Sequence, residues 1–268
     1  MKKKRVIFKI QNFLYKFIFF RYILTKLKIS NVFEKFIKQK NINLVFFNNP
    51  SELSILSYNL LYVIVFYELQ HLQHNYLPEY KSYHSFDLRE IVIKNLTKTA
   101  FKIVTCVEKD KYLLQKYYNA IAEKIVVQPF VSRLPLIFEE DNKKTNFKDL
   151  FKNMDLDINQ KYFFYPAQFW PHKNHKYLID VAKILFDKKI NFQFIFCGTK
   201  KINHDYIVNQ IEINKLQSKI MIFDYLEDLE IISLYLNCLA VIMPTYVGRS
   251  SLPLIESFYF KKTIFYSK

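Results

Sequence analysis

Two side chains in the second half of the chain have surroundings suited to an anionic ligand. Lys173 sits in the run Phe164-Tyr165-Pro166-Ala167-Gln168-Phe169-Trp170-Pro171-His172-Lys173-Asn174-His175. An apolar stretch ends at a proline, and a helical pattern starts near Asn174, a residue type that favours the N-cap. A loop feeding a helix N-terminus offers free N–H groups and the positive end of the dipole, which suits phosphate. An ammonium at that mouth would neutralise a diphosphate, although an ordinary surface lysine has the same local sequence. Glu256 follows the run Pro244-Thr245-Tyr246-Val247-Gly248-Arg249-Ser250-Ser251-Leu252-Pro253-Leu254-Ile255. Ser250 and Ser251 can cap a helix that Leu252-Pro253 opens. Glu256 then lies near the loop, where its carboxylate could accept from ligand hydroxyls; a solvated helical glutamate is the alternative.

The two glycines mark the same kind of place. An average chain of this length would carry about 19, and this one has 2, Gly198 and Gly248. Each follows an apolar strand-like run. Gly198 closes Phe194-Ile195-Phe196-Cys197, which implies a backbone shape that other residues cannot take. In the first half, His71 and His74 are polar candidates of another kind. Imidazoles titrate near neutrality and suit acid–base work, though either could be structural.

Elements must bring these groups together. Apolar runs predict strands at Ile42–Phe47, Tyr62–Tyr67, Lys102–Cys106, Lys124–Gln128, Lys161–Tyr165, Phe192–Cys197, Lys219–Phe223, Ala240–Met243 and Thr263–Tyr266. Helical patterns fall near 89–100, 108–118, 174–188, 205–217, 226–237 and 252–260. Near-continuous Val-, Ile- and Phe-rich strands separated by helices indicate parallel sheets covered on both faces, an α/β fold. The stretch Ser132–Gln160, with Pro135 and the acids Glu139, Glu140 and Asp141, breaks this rhythm and reads as a linker plus the entry to a second domain. The chain thus divides into domains at 1–135 and 159–268 joined by 136–158. Ligands of such sheets sit at the carboxyl ends of the strands.

Composition narrows the partners. Half of the chain (51%) is hydrophobic, which excludes wholesale disorder. The three cysteines are far apart and form no CxxC, so neither a disulfide framework nor a zinc site is expected. The net charge is +16, and residues 1–40 hold twelve Lys or Arg against one acid, Glu34. A basic start interleaved with aromatics fits anionic lipid or nucleic acid. The absence of helix-turn-helix, zinc-finger or RNP-like patterns speaks against nucleic acid. Ile10 to Leu27 reads as an amphipathic helix, either packed on a core with a solvated basic face or lying on a membrane surface. No run approaches the roughly 18 apolar residues of a membrane span, and no small-residue cleavage site follows the start. The setting expected is a reducing cytoplasm.

The order of the motifs carries a resemblance. "YPAQFWPHKNH", "FIFCG" and "PTYVGRSSLPLIES" resemble the donor-site blocks of the retaining, GT-B-fold glycosyltransferases of family 4 (group 1), above all their mannosyltransferase-like bacterial branch. "YELQHLQHNYLPEY" (Tyr67–Tyr80) and "KIVVQPF" (Lys124–Phe130) look like segments of the family's acceptor-side domain. The resemblance implies two Rossmann-like domains facing a cleft, a nucleotide diphosphate sugar as donor, a glycan or lipid-linked acceptor, and no cofactor or metal. It implies mannose as a transferred sugar, with enzyme placement on the inner face of the cell membrane. Lys173 would hold the donor phosphates and Glu256 the nucleotide ribose. Gln168, Asn174, Gly198, Gly248, Ser251 and Leu252 would line the donor site, and Glu68 and His71 would stand near the reaction. Two positions depart from the pattern: Gln168 replaces an arginine found in many members, and Gly248 stands where the first acid of an E-x7-E element is usual. Family members also extend further at both ends, which implies a shortened chain of the same fold, with an inactive remnant as the alternative reading.

Overall fold

The computed structural model describes residues 31–268, except 82, 143, 144, 155, 158, 249, 250 and 268. The amphipathic stretch Ile10–Leu27 lies outside the described residues. In chain order the elements are α1 (Val32–Gln39), β1 (Val45–Phe47), α2 (Glu52–Ile55), β2 (Tyr62–Phe66), α3 (Gln70–Gln73), α4 (Pro78–Lys81), α5 (Tyr83–Thr99), β3 (Lys102–Thr105), α6 (Glu108–Tyr118) and β4 (Ile125–Val127). There follow α7 (Leu134–Asp141), α8 (Phe147–Asn153), β5 (Phe163–Pro166), α9 (His175–Asp187), β6 (Phe194–Cys197), α10 (His204–Ile213), β7 (Ile220–Phe223), α11 (Asp228–Asn237), β8 (Ala240–Met243), α12 (Leu252–Tyr259) and β9 (Thr263–Tyr266). Two compact units result: residues 1–76 with 80–129, and residues 130–268 with the short stretch Leu77–Glu79.

The first unit is a parallel sheet in the order β1-β2-β3-β4. One face of it, through Phe47, Tyr62, Ile64, Ile103 and Ile125, packs on Val92, Ile93 and Leu96 of α5 and on Leu113 and Leu114 of α6. The second unit is a parallel sheet in the order β7-β6-β5-β8-β9. All four residues of β6 are buried, as expected of a strand covered on both faces. In this order the chain first builds outward from β5 to β7, then returns to the other side of β5 with β8. The β5/β8 boundary is therefore the point where the winding reverses, which is where such sheets bind ligands.

The stretch read as a linker and the entry to the second domain packs with the second unit. It holds α7 and α8, and Leu134, Phe151, Met154 and Leu156 are buried in that unit's core. Pro135 opens α7 rather than breaking the chain, since proline's fixed φ and missing N–H cost nothing in a first helical turn.

Glycine scarcity shows at the helix ends. Left-handed backbone is occupied by Asn41, Asn119, Asn174, Lys189, Lys215 and Lys261, with φ between 51° and 58°. After α10, Lys215 takes this conformation and Leu216 N–H reaches back to the Ile211 carbonyl at 2.9 Å, closing the helix as glycine ordinarily does. A left-handed lysine costs roughly 1 kcal/mol more than glycine there. Gly198 is glycine for a different reason than the backbone shape expected, since its φ is not positive. A Cβ there would stand 2.4 Å from the Ala167 carbonyl oxygen and 2.7 Å from the Gln168 nitrogen. Its neighbour is rigid backbone that cannot yield.

Urea denaturation should therefore move in opposite directions for two substitutions. Lys215→Gly should stabilise the protein by about 1 kcal/mol. Gly198→Ala should destabilise it by roughly 1–3 kcal/mol.

Candidate functional site

The β5–β8 ladder is short. It pairs Phe163 with Ala240 and Phe164 with Val241 and goes no further. Beyond it lies Pro166, which has no N–H to donate. The two stretches leave the sheet here as separate loops, residues 167–174 and 244–248. They are tied together just above the sheet. The His172 carbonyl accepts from Tyr246 N–H at 2.9 Å and from the Thr245 hydroxyl at 3.2 Å. The Asn174 side-chain amide donates to the Pro244 carbonyl at 3.1 Å. The first loop is also fastened to the loop after β6, through Phe169 N–H to Thr199 O at 3.3 Å and Asn203 N–H to Phe169 O at 3.2 Å.

Aromatic packing supports this loop from below. His175 is fully buried and stacks on Phe169, with ring centroids 4.5 Å apart and planes 18° apart. Tyr165 and Phe196 complete its cage at 4.8 and 5.4 Å. Burial lowers the His175 pKa to about 3, so the ring is a neutral packing element. The Tyr165 hydroxyl donates to the Lys173 carbonyl at 2.6 Å and fixes the turn Pro171–Lys173.

Lys173 therefore has a fixed backbone and a half-buried side chain. Burial lowers its pKa below the ordinary lysine value. Among the described residues no carboxylate lies within 4 Å of its ammonium. A partly desolvated, unpaired cation is the state that an anion would relieve. Asn174 stands at the N-terminal boundary of α9 as the sequence implied, but it does not cap. It is left-handed, with φ 57°, and its side chain makes the cross-loop bond to Pro244. Without a side-chain cap, the first N–H groups of α9 are left for another acceptor. A cavity of about 550 Å³ opens beside the tied loops, lined by Asn174, Tyr177, Thr245, Tyr246, Phe265 and Ser267 among others.

The remaining predicted residues divide into groups. Gln168 is exposed, and its side-chain oxygen accepts from the Trp170 indole at 3.0 Å. Gly198 holds the loop close to β6, as described above. Gly248 has open space where a Cβ would stand. Ser251 occupies the position before α12, yet its hydroxyl turns to the Met243 sulfur at 3.7 Å and caps nothing. Leu252 begins α12, with Pro253 in its first turn. Glu256 differs most from what the sequence implied. It is 7% exposed, and both carboxylate oxygens are already engaged: one accepts from the Ser132 hydroxyl and the other from the Tyr235 hydroxyl, each at 2.6 Å. Burial and the adjacent carboxylate raise the Tyr235 pKa well above its ordinary value, which keeps it a donor.

In the first unit, Glu68 and His71 are three residues apart but differ in surroundings. Glu68 pairs with Arg89 at 3.0 Å and lines a cavity of about 400 Å³ together with Phe66, Leu88 and Val92. His71 is fully buried; its Nε2 lies 3.0 Å from Glu90, which also accepts from the Tyr118 hydroxyl. Hydrogen bonds from Tyr118 and His71 help lower the Glu90 pKa, against the opposing effect of its burial. His74 meets the Tyr76 hydroxyl at 3.2 Å.

Sequence reasoning did not find Tyr235, Ser132, Thr245, Tyr246 or Glu79. Glu79 meets His172 Nδ1 at 2.6 Å. None belongs to a spacing pattern; a polar residue near Pro244 was the one available signal, and it pointed at Thr245.

Known proteins can now be set beside this geometry. The α/β fold with parallel sheets is that of GT-B glycosyltransferase structures. Residues 146–268 match the family model described as glycosyl transferases group 1. Anabaena HepE in complex with UDP and glucose is similar in structure, with TM-score 0.64 and 14% identity over 86% of this chain and 61% of that one. A Rickettsia africae glycosyltransferase gives TM-score 0.58 and 19% identity over 92% and 62%. Sucrose-phosphate synthase from Thermosynechococcus elongatus gives TM-score 0.67 and 12% identity over 88% and 59%. The chain thus spans about three fifths of the length of these structures. No curated protein matches it in sequence.

The Glu256 clamp has a measurable consequence. Tyr235→Phe removes one donor to a buried carboxylate, a charge-assisted bond worth roughly 1.5–3 kcal/mol. Thermal unfolding should show a loss of stability of that size, and Ser132→Ala should show a comparable one, because that buried hydroxyl also accepts from Leu134 N–H at 3.2 Å.

Proposed function

We propose that this chain is a group 1 glycosyltransferase of family 4 that takes a nucleotide diphosphate sugar at the β5/β8 crevice and passes the sugar to a glycan or lipid-linked acceptor. The observation that carries this is Lys173: a half-buried, unpaired ammonium on a rigid turn, beside the uncapped start of α9, at the point where the sheet winding reverses. The match of residues 146–268 to the group 1 model and the UDP-bound HepE structure support the same ligand class.

The chemistry follows from charge. Breaking the bond between sugar and diphosphate leaves negative charge on the leaving phosphate. Lys173 and the N–H groups of α9 are held in place beforehand, so they stabilise that charge without reorganising. A Cβ at Gly248 would meet nothing within 4 Å, which leaves that position of the second loop open to a ligand. The resemblance to the mannosyltransferase-like branch supports mannose and a retaining outcome. Glu68, at the mouth of the first unit's cavity and paired with Arg89, is the candidate for contact with the acceptor. His71, through Glu90, is the candidate for holding that region in shape.

A second reading has its own observation. Glu256 is taken up by Ser132 and Tyr235, and Gly248 stands in place of an acid. A protein with the donor pocket but without turnover would bind nucleotide and transfer nothing. Release of labelled sugar from UDP- and GDP-sugars separates the two: transfer or hydrolysis above background supports the enzyme, and nucleotide binding without either supports the second reading.

Lys173 also sets a test by linkage. Its folded pKa is below the unfolded value of about 10.4, so between the two the unfolded chain binds more protons. Stability then rises with pH through that window, and at lower pH the buried charge is a standing cost. Lys173→Met should raise the melting temperature of the ligand-free protein at neutral pH. The same substitution should weaken nucleoside diphosphate binding at least about ten-fold by calorimetry, since a charge-assisted contact to phosphate is lost. Undiminished binding would count against the site.

A further inference from the structure

Among the described residues, every polar contact of the Glu79 side chain goes to His172. Its Oε1 lies 2.6 Å from His172 Nδ1 and accepts from the His172 backbone N–H at 3.3 Å. Its Oε2 is buried and has no partner. The Glu79 and His172 side chains are 6% and 14% exposed, so little water screens the pair. Leu77–Glu79 packs with the second unit, although the residues before and after it in sequence belong to the first. A carboxylate with one orphan oxygen is a costly group to bury. An apolar side chain at this position would avoid that cost, but it would leave the His172 N–H and Nδ1 without this acceptor.

His172 precedes Lys173, and the backbone around both is fixed peptide by peptide. In the Pro171–His172 peptide, the carbonyl accepts from Asn174 N–H at 3.0 Å within the loop, and Glu79 holds the N–H from outside it. In the His172–Lys173 peptide, the carbonyl accepts from Tyr246 N–H and the Thr245 hydroxyl, and the N–H donates to Trp170 O at 3.0 Å. The carbonyl of the Lys173–Asn174 peptide accepts from the Tyr165 hydroxyl. Because each peptide is planar, these bonds leave the φ and ψ of His172 and Lys173 little freedom.

We infer that Glu79 is a positioning residue of the anion site: through His172 it fixes the turn from which Lys173 presents its ammonium. This rests on the reading of Lys173 as the ligand of the donor diphosphate. A cation whose backbone is set beforehand loses less conformational freedom on binding and meets the incoming charge without rearranging. With the Glu79–His172 pair broken, the ring and the first peptide plane of the turn lose their outer tie, and Lys173 stands on a looser backbone. The effect of Glu79 on nucleotide binding therefore exists while residue 173 is lysine and vanishes when it is not. A carboxylate that merely stabilised the unit would weaken binding equally in either background.

Calorimetric titration of the full chain with UDP and GDP tests this on the parent, Glu79→Gln, Lys173→Met and the double variant, each checked for folding by circular dichroism. Glu79→Gln keeps the volume and an acceptor oxygen and removes the charge. It should weaken binding about five-fold in the parent background and leave it unchanged in the Lys173→Met background, a coupling of the size that neighbouring residues show. His172→Asn, whose amide nitrogen can stand where Nδ1 stands and donate to Glu79, should bind nearly as the parent does. His172→Leu should bind as weakly as Glu79→Gln. Equal losses from Glu79→Gln in both backgrounds, no loss in the parent, or equal binding by His172→Asn and His172→Leu overturns the proposal. A Lys173→Met variant that binds as tightly as the parent refutes the Lys173 reading and takes the proposal with it, a failure recognised without any change at Glu79.

Discussion

The candidate site depends on one junction: the His172 carbonyl and the Asn174 amide bind the loop after β5 to the loop after β8. These loops leave neighbouring strands whose ladder ends early. Nothing in the sheet itself holds them together past Phe164 and Val241. Each cross-loop bond satisfies a backbone carbonyl that would otherwise need water. Without the junction Lys173 would sit on a free loop, and its ammonium would be solvated instead of partly desolvated. Its lowered pKa is thus a consequence of loop architecture.

The loops are held from three sides by different means. Below, the rings of Phe169, His175, Tyr165 and Phe196 provide a packed floor, with His175 neutral. To one side, Gly198 allows the backbone of Ala167 to approach β6 more closely than any Cβ would permit. At the far end, Glu256 ties α12 to Tyr235 of α11 and to Ser132. This last tie uses a carboxylate in the interior, which is stable there because both oxygens receive hydroxyl donors.

The scarcity of glycine changes less than its composition suggests. Helix ends that usually take glycine take Asn or Lys in the left-handed conformation and keep the same closing hydrogen bonds. The cost is spread over several sites and is small at each. Glycine remains where space, not conformation, is limiting, at Gly198.

The strands were legible in the sequence, because parallel strands covered on both faces read as unbroken apolar runs. So were the six longer helices flanking them, from their 3.6-residue spacing, and the placement of Lys173 on a loop before a helix. Short helices such as α2 and α3 were not, since four residues carry no period. The helices α7 and α8 were hidden because Leu134, Phe151 and Met154 bury themselves against partners distant in the chain, and Pro135 with its acids resembles a linker. Side-chain direction was decided by tertiary structure alone. Asn174 turned from capping to Pro244, Ser251 to Met243, and Glu256 inward to Tyr235, because each found a partner that sequence spacing cannot name. Local pattern determines where a backbone bends and which residues are apolar; a hydrogen-bond partner tens of residues away, such as Ser132 for Glu256, exists only once the core has closed around both.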